Sequence, residues 1–400
     1  MLQAQDEVYI SGFGCITPIG SNAEECLSSL RSGKSGIRRP VLFQSKYASL
    51  YLFGEVSLSN EELLSQLDVA GMKGLTRTDL LAFKAFKEAV ESAGLSPEEI
   101  SSPDTAFVSA STVGGMCLTD QLYKDSNLLT NDSEYLDSYS CSAHANRIVE
   151  RYQIKGPVDV INTACSSSAN ALMHGARLIR SGRAKRAIVG GVDSLSKYTV
   201  NGFNSLQILS SDRCKPFDSE RDGLNLGEGA AYLVLERADE RKGKKASAQL
   251  VGYGNSNDAY HTSSMSDEAV GILRAIGEAA SMAGLSGKEI GYVNAHGTGT
   301  ENNDSVEAEA FRRFFDPVPP FSSTKSYIGH TLGAAGAIEA IISIMALSHG
   351  ELYPNLNFNR AIQPQGLHPI TEFRKAELEY VMSNSYGFSG NCTSLIFKKA

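Results

Sequence analysis

Residues 157–193 read PVDVINTACSSSANALMHGARLIRSGRAKRAIVGGVD. The order is an apolar run, a turn of small polar residues, a helix with Leu172, Ala176 and Ile179 spaced along one face, a glycine stop, and a second apolar run. Strand, helix and strand in succession predict a layered α/β fold. Cys165 falls at the junction of the first strand and the helix.

The same grammar returns in residues 320–350, PFSSTKSYIGHTLGAAGAIEAIISIMALSHG, where a polar turn leads into a glycine- and alanine-rich helix start and a long apolar helix ending at Gly350. Two halves of similar plan are predicted. Earlier runs fit the scheme: VYISGFG at 8–14, DLLAFKAFKEAVESAG at 79–94 and TAFVSAST at 105–112 alternate strand and helix patterns. The polar stretch ERADERKGKKASAQ, 236–249, separates the apolar runs AAYLVL and QLVGYG, which puts the seam near 245 and the halves at 1–245 and 246–400. Residues 119–140 lack periodicity and are expected as a surface excursion or a dimer-forming arm. Small residues at the two helix starts also have a plain packing use, since they let helices approach closely.

Composition narrows the function classes. A chain of 400 residues with 42% hydrophobic and 20% charged residues is globular and long enough for roughly two to three domains. The 37 basic and 45 acidic residues give a formal charge of -8, against whole-surface attraction to nucleic acid or anionic membrane. Seven cysteines form an odd set without a CxxC pair, which suits a reducing compartment, and a cytoplasmic protein is expected. The start MLQAQDEVYI carries Asp6 and Glu7 where a secretion signal needs a basic start and an apolar run. The apolar run Ala340–Leu347, interrupted at Ser343, falls short of the ~20 residues that cross a bilayer.

Few residues stand where chemistry would need them. At a helix N-terminus, free N–H groups and the positive dipole end would lower the pKa of Cys165 and favour thiolate, although a free cysteine is as readily a small core residue. His296, in VNAHGTGT, follows a predicted strand, and His330 precedes a helix; strand ends followed by glycines deliver side chains into clefts. His144, His174, His261, His349 and His368 have no such setting. The 34 residues between the two histidines, with no second ligand nearby, do not make a zinc motif. A thiolate can hold an acyl group as a thioester, and two neutral imidazoles can stabilise the enolate left when a β-keto acid loses carbon dioxide. Gly227 and Gly229 precede a strand pattern, so no nucleotide is expected.

TACSSS, NAHGTGTENND, STKSYIGHTLGAAGAIE and NSYGFSGN, in that order, resemble the β-ketoacyl-acyl-carrier-protein synthases, with RCKPFDSERDGLNLGEGAAYLVLE extending the likeness over nearly the whole chain. The resemblance implies an α/β thiolase-like fold of two similar halves in a five-layered αβαβα arrangement, usually a homodimer, with a heterodimer as the variant. It implies Cys165 as the acyl-accepting nucleophile and His296 with His330 as the pair that binds the malonyl thioester carbonyl. Lys325 would support the site, paired with Glu307. The N–H groups of Cys165 and Phe388 would form the oxyanion hole, with the Phe388 ring as a gate. Thr298 and Thr300 would contact the phosphopantetheine arm. Asn294, Glu339, Ser383 and Asn384 match a structural monovalent-cation site. No organic cofactor is implied; the partner is an acidic acyl carrier protein, for which Lys73, Arg77 and Arg147 are candidate contacts.

Ser389 and Asn391-Cys392 depart from the GFGGTN of housekeeping fatty-acid enzymes, which brings polyketide or polyene assembly in beside fatty-acid elongation. Two competing readings are a non-catalytic chain-length-factor-like partner, which would lack the nucleophilic cysteine, and a thiolase acting on coenzyme A thioesters, which would carry a second catalytic cysteine in a glycine-rich C-terminal motif.

Overall fold

Runs of Ala, Val, Ile and Leu bounded by glycines form one ten-stranded sheet among the described residues: β1 (Val8–Ile16), β2 (Thr105–Ala110), β3 (Val158–Ile161), β4 (Arg186–Asp193), β5 (Gly229–Arg237), β6 (Ala248–Asn257), β7 (Ile290–Asn294), β8 (Phe321–Ser322), β9 (Tyr380–Tyr386) and β10 (Asn391–Lys398). The computed structural model describes residues 7–69, 71–241, 243 and 245–400. Met1–Asp6, part of the segment read for a leader, and Lys242 and Lys244, inside the polar seam, lie outside the described residues, as does Ala70.

The strands lie in the order β3-β2-β4-β5-β1-β6-β10-β9-β7-β8. In the first five, β3, β2 and β4 run parallel while β5 pairs antiparallel with both β4 and β1. In the second five, β8, β7 and β9 run parallel while β10 pairs antiparallel with both β9 and β6. Each strand of the first set therefore corresponds to the strand five numbers later, and the two halves are copies of one plan. They meet where Tyr9 and Ile10 of β1 pair with Gln249 and Ala248 of β6.

Helices complete the layers. α1 (Arg77–Ser92) covers the outer face of the first half against β1 and β5, while α2 (Ser167–Arg180) packs on β4 and β2 from inside. A shorter α3 (Lys197–Ser205) lies beside the site described below. α4 (Val270–Ala283) and α5 (Glu301–Phe314) cover the outer face of the second half, and α6 (Ala335–His349) lies against β9, β5 and α2. The order α1, sheet, α2 with α6, sheet, α4 with α5 is the five-layered arrangement the resemblance implied. Three apolar clusters fill it: one around α1, one around α4 and α5, and the largest between the sheets around α2 and α6.

The segment Leu332–His349 is long and apolar enough by composition to cross a membrane. Its place is the central layer, where α6 is buried from Ala335 to Leu347. Small residues at the starts of α2 and α6 do what close packing needs: a Cβ on Gly336 would stand 2.6 Å from the backbone nitrogen of Ala169. In the aperiodic segment near 119–140, Thr119–Leu128 is helical without a single buried residue, and Tyr123 and Leu128 are exposed. Gly336→Ala is expected to force the two central helices apart and to lower stability by about 1–3 kcal/mol, read as a drop in the urea unfolding midpoint.

Candidate active site

Cys165 sits between the end of β3 and the start of α2, after Ala164 in the left-handed region at φ +55°. This sharp turn is held by side chains. The Ser167 hydroxyl accepts from the Thr163 N–H at 2.9 Å, and Asn391 Oδ1 accepts from Ser166 Oγ at 2.7 Å and Asn170 Nδ2 at 2.9 Å. Asn391, a departure from the family pattern, thus ties the turn to β10.

The Cys165 thiol is buried, and the backbone N–H groups of Phe388 and of Cys165 itself favour its anion. Burial pushes its pKa up to about 11, while the Lys325 charge and the two N–H groups pull it back only in part. The expectation of a lowered pKa is therefore corrected. The helix tip supplies the N–H groups, but loss of water around the anion outweighs them, and the resting sulfur is a thiol.

His296 follows β7, and His330 stands at the loop before α6; both are buried, with ring centroids 5.5 Å apart at 84°. The Leu332 N–H donates to His330 Nδ1 at 3.2 Å, and the Lys325 ammonium donates to His296 Nδ1 at 3.2 Å. With Nδ1 used as acceptor in each ring, the ring proton is on Nε2. Burial holds both imidazoles well below their ordinary pKa, and Lys325 adds to the effect, so both are neutral donors.

Lys325 does not pair with Glu307. Its ammonium contacts Glu339 Oε1 and donates to the His296 carbonyl at 2.7 Å, so with His296 Nδ1 its three protons each have an acceptor. Glu307, on α5, lies under the turn after β7 and accepts the N–H groups of His296 and Gly297 at 2.8 Å each. The reason is geometric: α6 carries Glu339 past Lys325, whereas α5 presents Glu307 to two backbone donors that have no other partner. Burial raises Glu307 to about 8 and Glu339 to about 7, opposed respectively by those N–H groups and by Lys325.

Thr298 and Thr300 share a hydroxyl hydrogen bond of 2.8 Å. Asp304 accepts the N–H groups of Thr298 and Gly299, fixing the loop from beneath. Cys165, His296, His330, Thr298, Thr300, Tyr386 and Phe388 line one cavity of about 600 Å³. The Phe388 ring stacks on Phe203 of α3 with centroids 5.7 Å apart. That aromatic pair also lines a second cavity, of about 650 Å³, with Met116, Cys117 and Tyr198.

Asn294 and Ser383 are register partners on β7 and β9. Asn294 Oδ1, Ser383 Oγ, Asn384 Oδ1 and the second oxygen of Glu339 are all buried with no hydrogen-bond partner among the described residues. Neutral oxygens plus one carboxylate oxygen are the donor chemistry a hard monovalent cation takes, so the residues fit the group the resemblance implied.

Of the basic candidates, Arg77 is spent on Glu228 at 2.7 Å and on the Val56 carbonyl, and Arg147 on Asp79 and the Gly74 carbonyl. Both are half-buried structural cations; Lys73 alone is exposed. Sequence reasoning missed Asp193, whose carboxylate accepts from Ser111 Oγ, Thr112 and Val113 of the first half and, at 2.7 Å, from the Gly333 N–H in the His330 loop. Its one signal is an acid ending an otherwise apolar strand. Phe203 had none, because its role depends on stacking across the fold.

Comparison with known proteins gives the family and the fold. The family described as Beta-ketoacyl synthase, N-terminal domain, matches residues 5–241, and its C-terminal domain matches residues 247–359. The chain is 32% identical to the 3-oxoacyl-[acyl-carrier-protein] synthase 2 of Vibrio cholerae over 98% of this chain and 99% of that protein. It superposes with a TM-score of 0.92 and 28% identity on a structure titled as the ishigamide ketosynthase/chain length factor, covering 98% of this chain and 99% of that one. At a TM-score of 0.87 and 25% identity it matches a type II polyketide ketosynthase solved in complex with its acyl-carrier protein, over 98% and 99%.

Since the thiol titrates near 11, alkylation of Cys165 by iodoacetamide should keep rising from pH 7 to pH 10 with no plateau. Lys325→Ala removes a charge that favours thiolate, so its pKa moves up and the alkylation rate at pH 8 falls below wild type, both followed by intact-protein mass.

Proposed function

Because the chain belongs to the β-ketoacyl synthase family, we propose that Cys165, His296 and His330 carry out its decarboxylative condensation of carrier-bound thioesters, in fatty-acid or polyketide chain elongation. The observation that carries this reading is the shared cavity in which one thiol faces two neutral Nε2–H donors and two backbone N–H groups.

Cys165 sulfur attacks the acyl carbonyl of the first thioester, the carbon–sulfur bond to the carrier breaks, and the thiol proton ends on the departing carrier thiol. The tetrahedral oxyanion is held by the N–H groups of Cys165 and Phe388. A malonyl carrier thioester then enters. Its carboxylate leaves as carbon dioxide, the electron pair moves onto the thioester oxygen, and the Nε2–H groups of His296 and His330 stabilise that enolate. The enolate carbon attacks the acyl-cysteine carbonyl, the bond to sulfur breaks, and the product leaves two carbons longer while the Cys165 thiolate takes a proton from water.

Neutral rings matter here, because a protonated imidazolium would pass its proton to the enolate carbon and quench it. Lys325 keeps His296 in the useful tautomer by occupying Nδ1. Thr298 and Thr300 bind the phosphopantetheine arm, the Phe388 ring gates the second cavity as an acyl pocket, and Asn294, Glu339, Ser383 and Asn384 hold a structural monovalent cation. No organic cofactor takes part. The exposed edge strand β3 and the exposed apolar residues of 119–139 support a homodimer that pairs the first halves of two chains, each chain being made of the units 1–245 and 246–400. Seven free cysteines support a cytoplasmic location.

A chain-length-factor reading is disfavoured by the intact thiol and imidazole set. A thiolase reading is disfavoured by Cys392, which is buried and lines neither cavity beside Cys165. In intact-mass experiments, acyl carrier protein should transfer its acyl group to wild type and not to Cys165→Ala; acylation persisting in the variant would overturn the assignment. His330→Ala should retain acylation while malonyl decarboxylation falls about 10²–10³-fold, as for loss of one oxyanion donor.

A further inference from the structure

Two residues of the turn that carries Phe388, Ser389 and Asn391, depart from the GFGGTN pattern, and both are fixed by the fold. Ser389 takes the left-handed region at φ +64°, its N–H donates to the Thr262 carbonyl at 2.8 Å, and its carbonyl accepts from Asn257 Nδ2 at 3.0 Å. Asn391 is engaged twice, once through its side chain and once through its main chain.

The side chain reaches the nucleophile turn. Asn391 Oδ1 accepts from Ser166 Oγ at 2.7 Å, from Asn170 Nδ2 of α2 at 2.9 Å and from Asn255 Nδ2 of β6 at 3.0 Å. Two of those partners are amide nitrogens, so the atom they meet is the oxygen. The main chain reaches the other loop: the Gly387 N–H donates to the Asn391 carbonyl at 2.7 Å, and the Gly390 N–H closes on the Gly387 carbonyl at 3.1 Å. Ser166 directly follows Cys165, and Gly387 directly precedes Phe388. Asn391 therefore grips a neighbour of each residue whose N–H favours the Cys165 anion. The two loops touch, since a Cβ on Gly387 would stand 2.6 Å from the Thr163 carbonyl oxygen and 3.2 Å from the Cys165 nitrogen. What ties them together then sets their separation.

We propose that Asn391 is a positioning residue that sets the distance between the Cys165 and Phe388 N–H groups, and with it the shape of the oxyanion hole used when Cys165 is acylated. This rests on the condensing reading of the site. Its effect falls on steps that build a tetrahedral oxyanion on the Cys165 thioester and not on loss of carbon dioxide, whose enolate is held by His296 and His330. The oxygen of a threonine sits one bond nearer the backbone than an amide oxygen, so threonine at 391 does not reach the same set of donors.

The test follows three reactions in wild type, Asn391→Ala and Asn391→Thr. These are acylation by an acyl pantetheine thioester, alkylation of Cys165 by iodoacetamide located by peptide mass, and carbon dioxide release from malonyl carrier protein without an acyl donor. Dividing acylation by alkylation within each variant removes any change in thiolate fraction. That ratio should fall about 10- to 100-fold in Asn391→Ala and by a smaller factor in Asn391→Thr, with decarboxylation within about twofold of wild type in both. An unchanged ratio in Asn391→Ala, or acylation and decarboxylation reduced by the same factor, overturns the positioning role. If Asn391→Ala does not fold, Asn391→Thr decides by the same criterion, because the family pattern carries threonine there. Wild type that no acyl thioester acylates overturns the reading of the site itself.

Discussion

The contact on which the rest of the molecule depends is that between α2 and α6 in the central layer. Gly336 leaves room for the backbone of Ala169, and Ser168 Oγ accepts the Ala337 N–H at 2.8 Å. Each helix begins just after a chemically loaded loop, Cys165 before α2 and His330 before α6. Bringing the two helix starts together therefore brings the thiol of one half to the imidazole of the other. Asp193 adds a second clamp by holding the Thr112 and Gly333 backbones on one carboxylate. The repeated plan of the two halves is what makes this meeting possible.

Burial sets the chemistry in that cleft, and it acts in opposite senses on the two kinds of group. It keeps the imidazoles neutral, which suits them as hydrogen-bond donors, and it keeps the cysteine protonated. Lys325 is the one cation among them. Its three acceptors fix the His296 tautomer, orient Glu339 and leave none of its protons unpaired. The positive charge also favours the anionic form of Cys165.

Outside the cleft, the molecule separates its charges by use. Arg77 and Arg147 are tied to buried carboxylates and brace the first half, while among the described residues Arg38, Arg39 and Lys46 have no ion pair.

The sequence alone determined the layered α/β class and the two similar halves, because strand and helix periods are local features that neighbouring residues impose on one another, and the likeness of its motifs to a known family singled out Cys165, His296 and His330. Tertiary structure decided what those residues face. That Lys325 meets Glu339 and not Glu307 depends on the relative placement of α5 and α6, elements that spacing along the chain does not position. The thiol's high pKa and the roles of Asp193 and Phe203 arise in the same way, since burial and stacking are sums over groups far apart in sequence and exist only once the two halves have closed on each other.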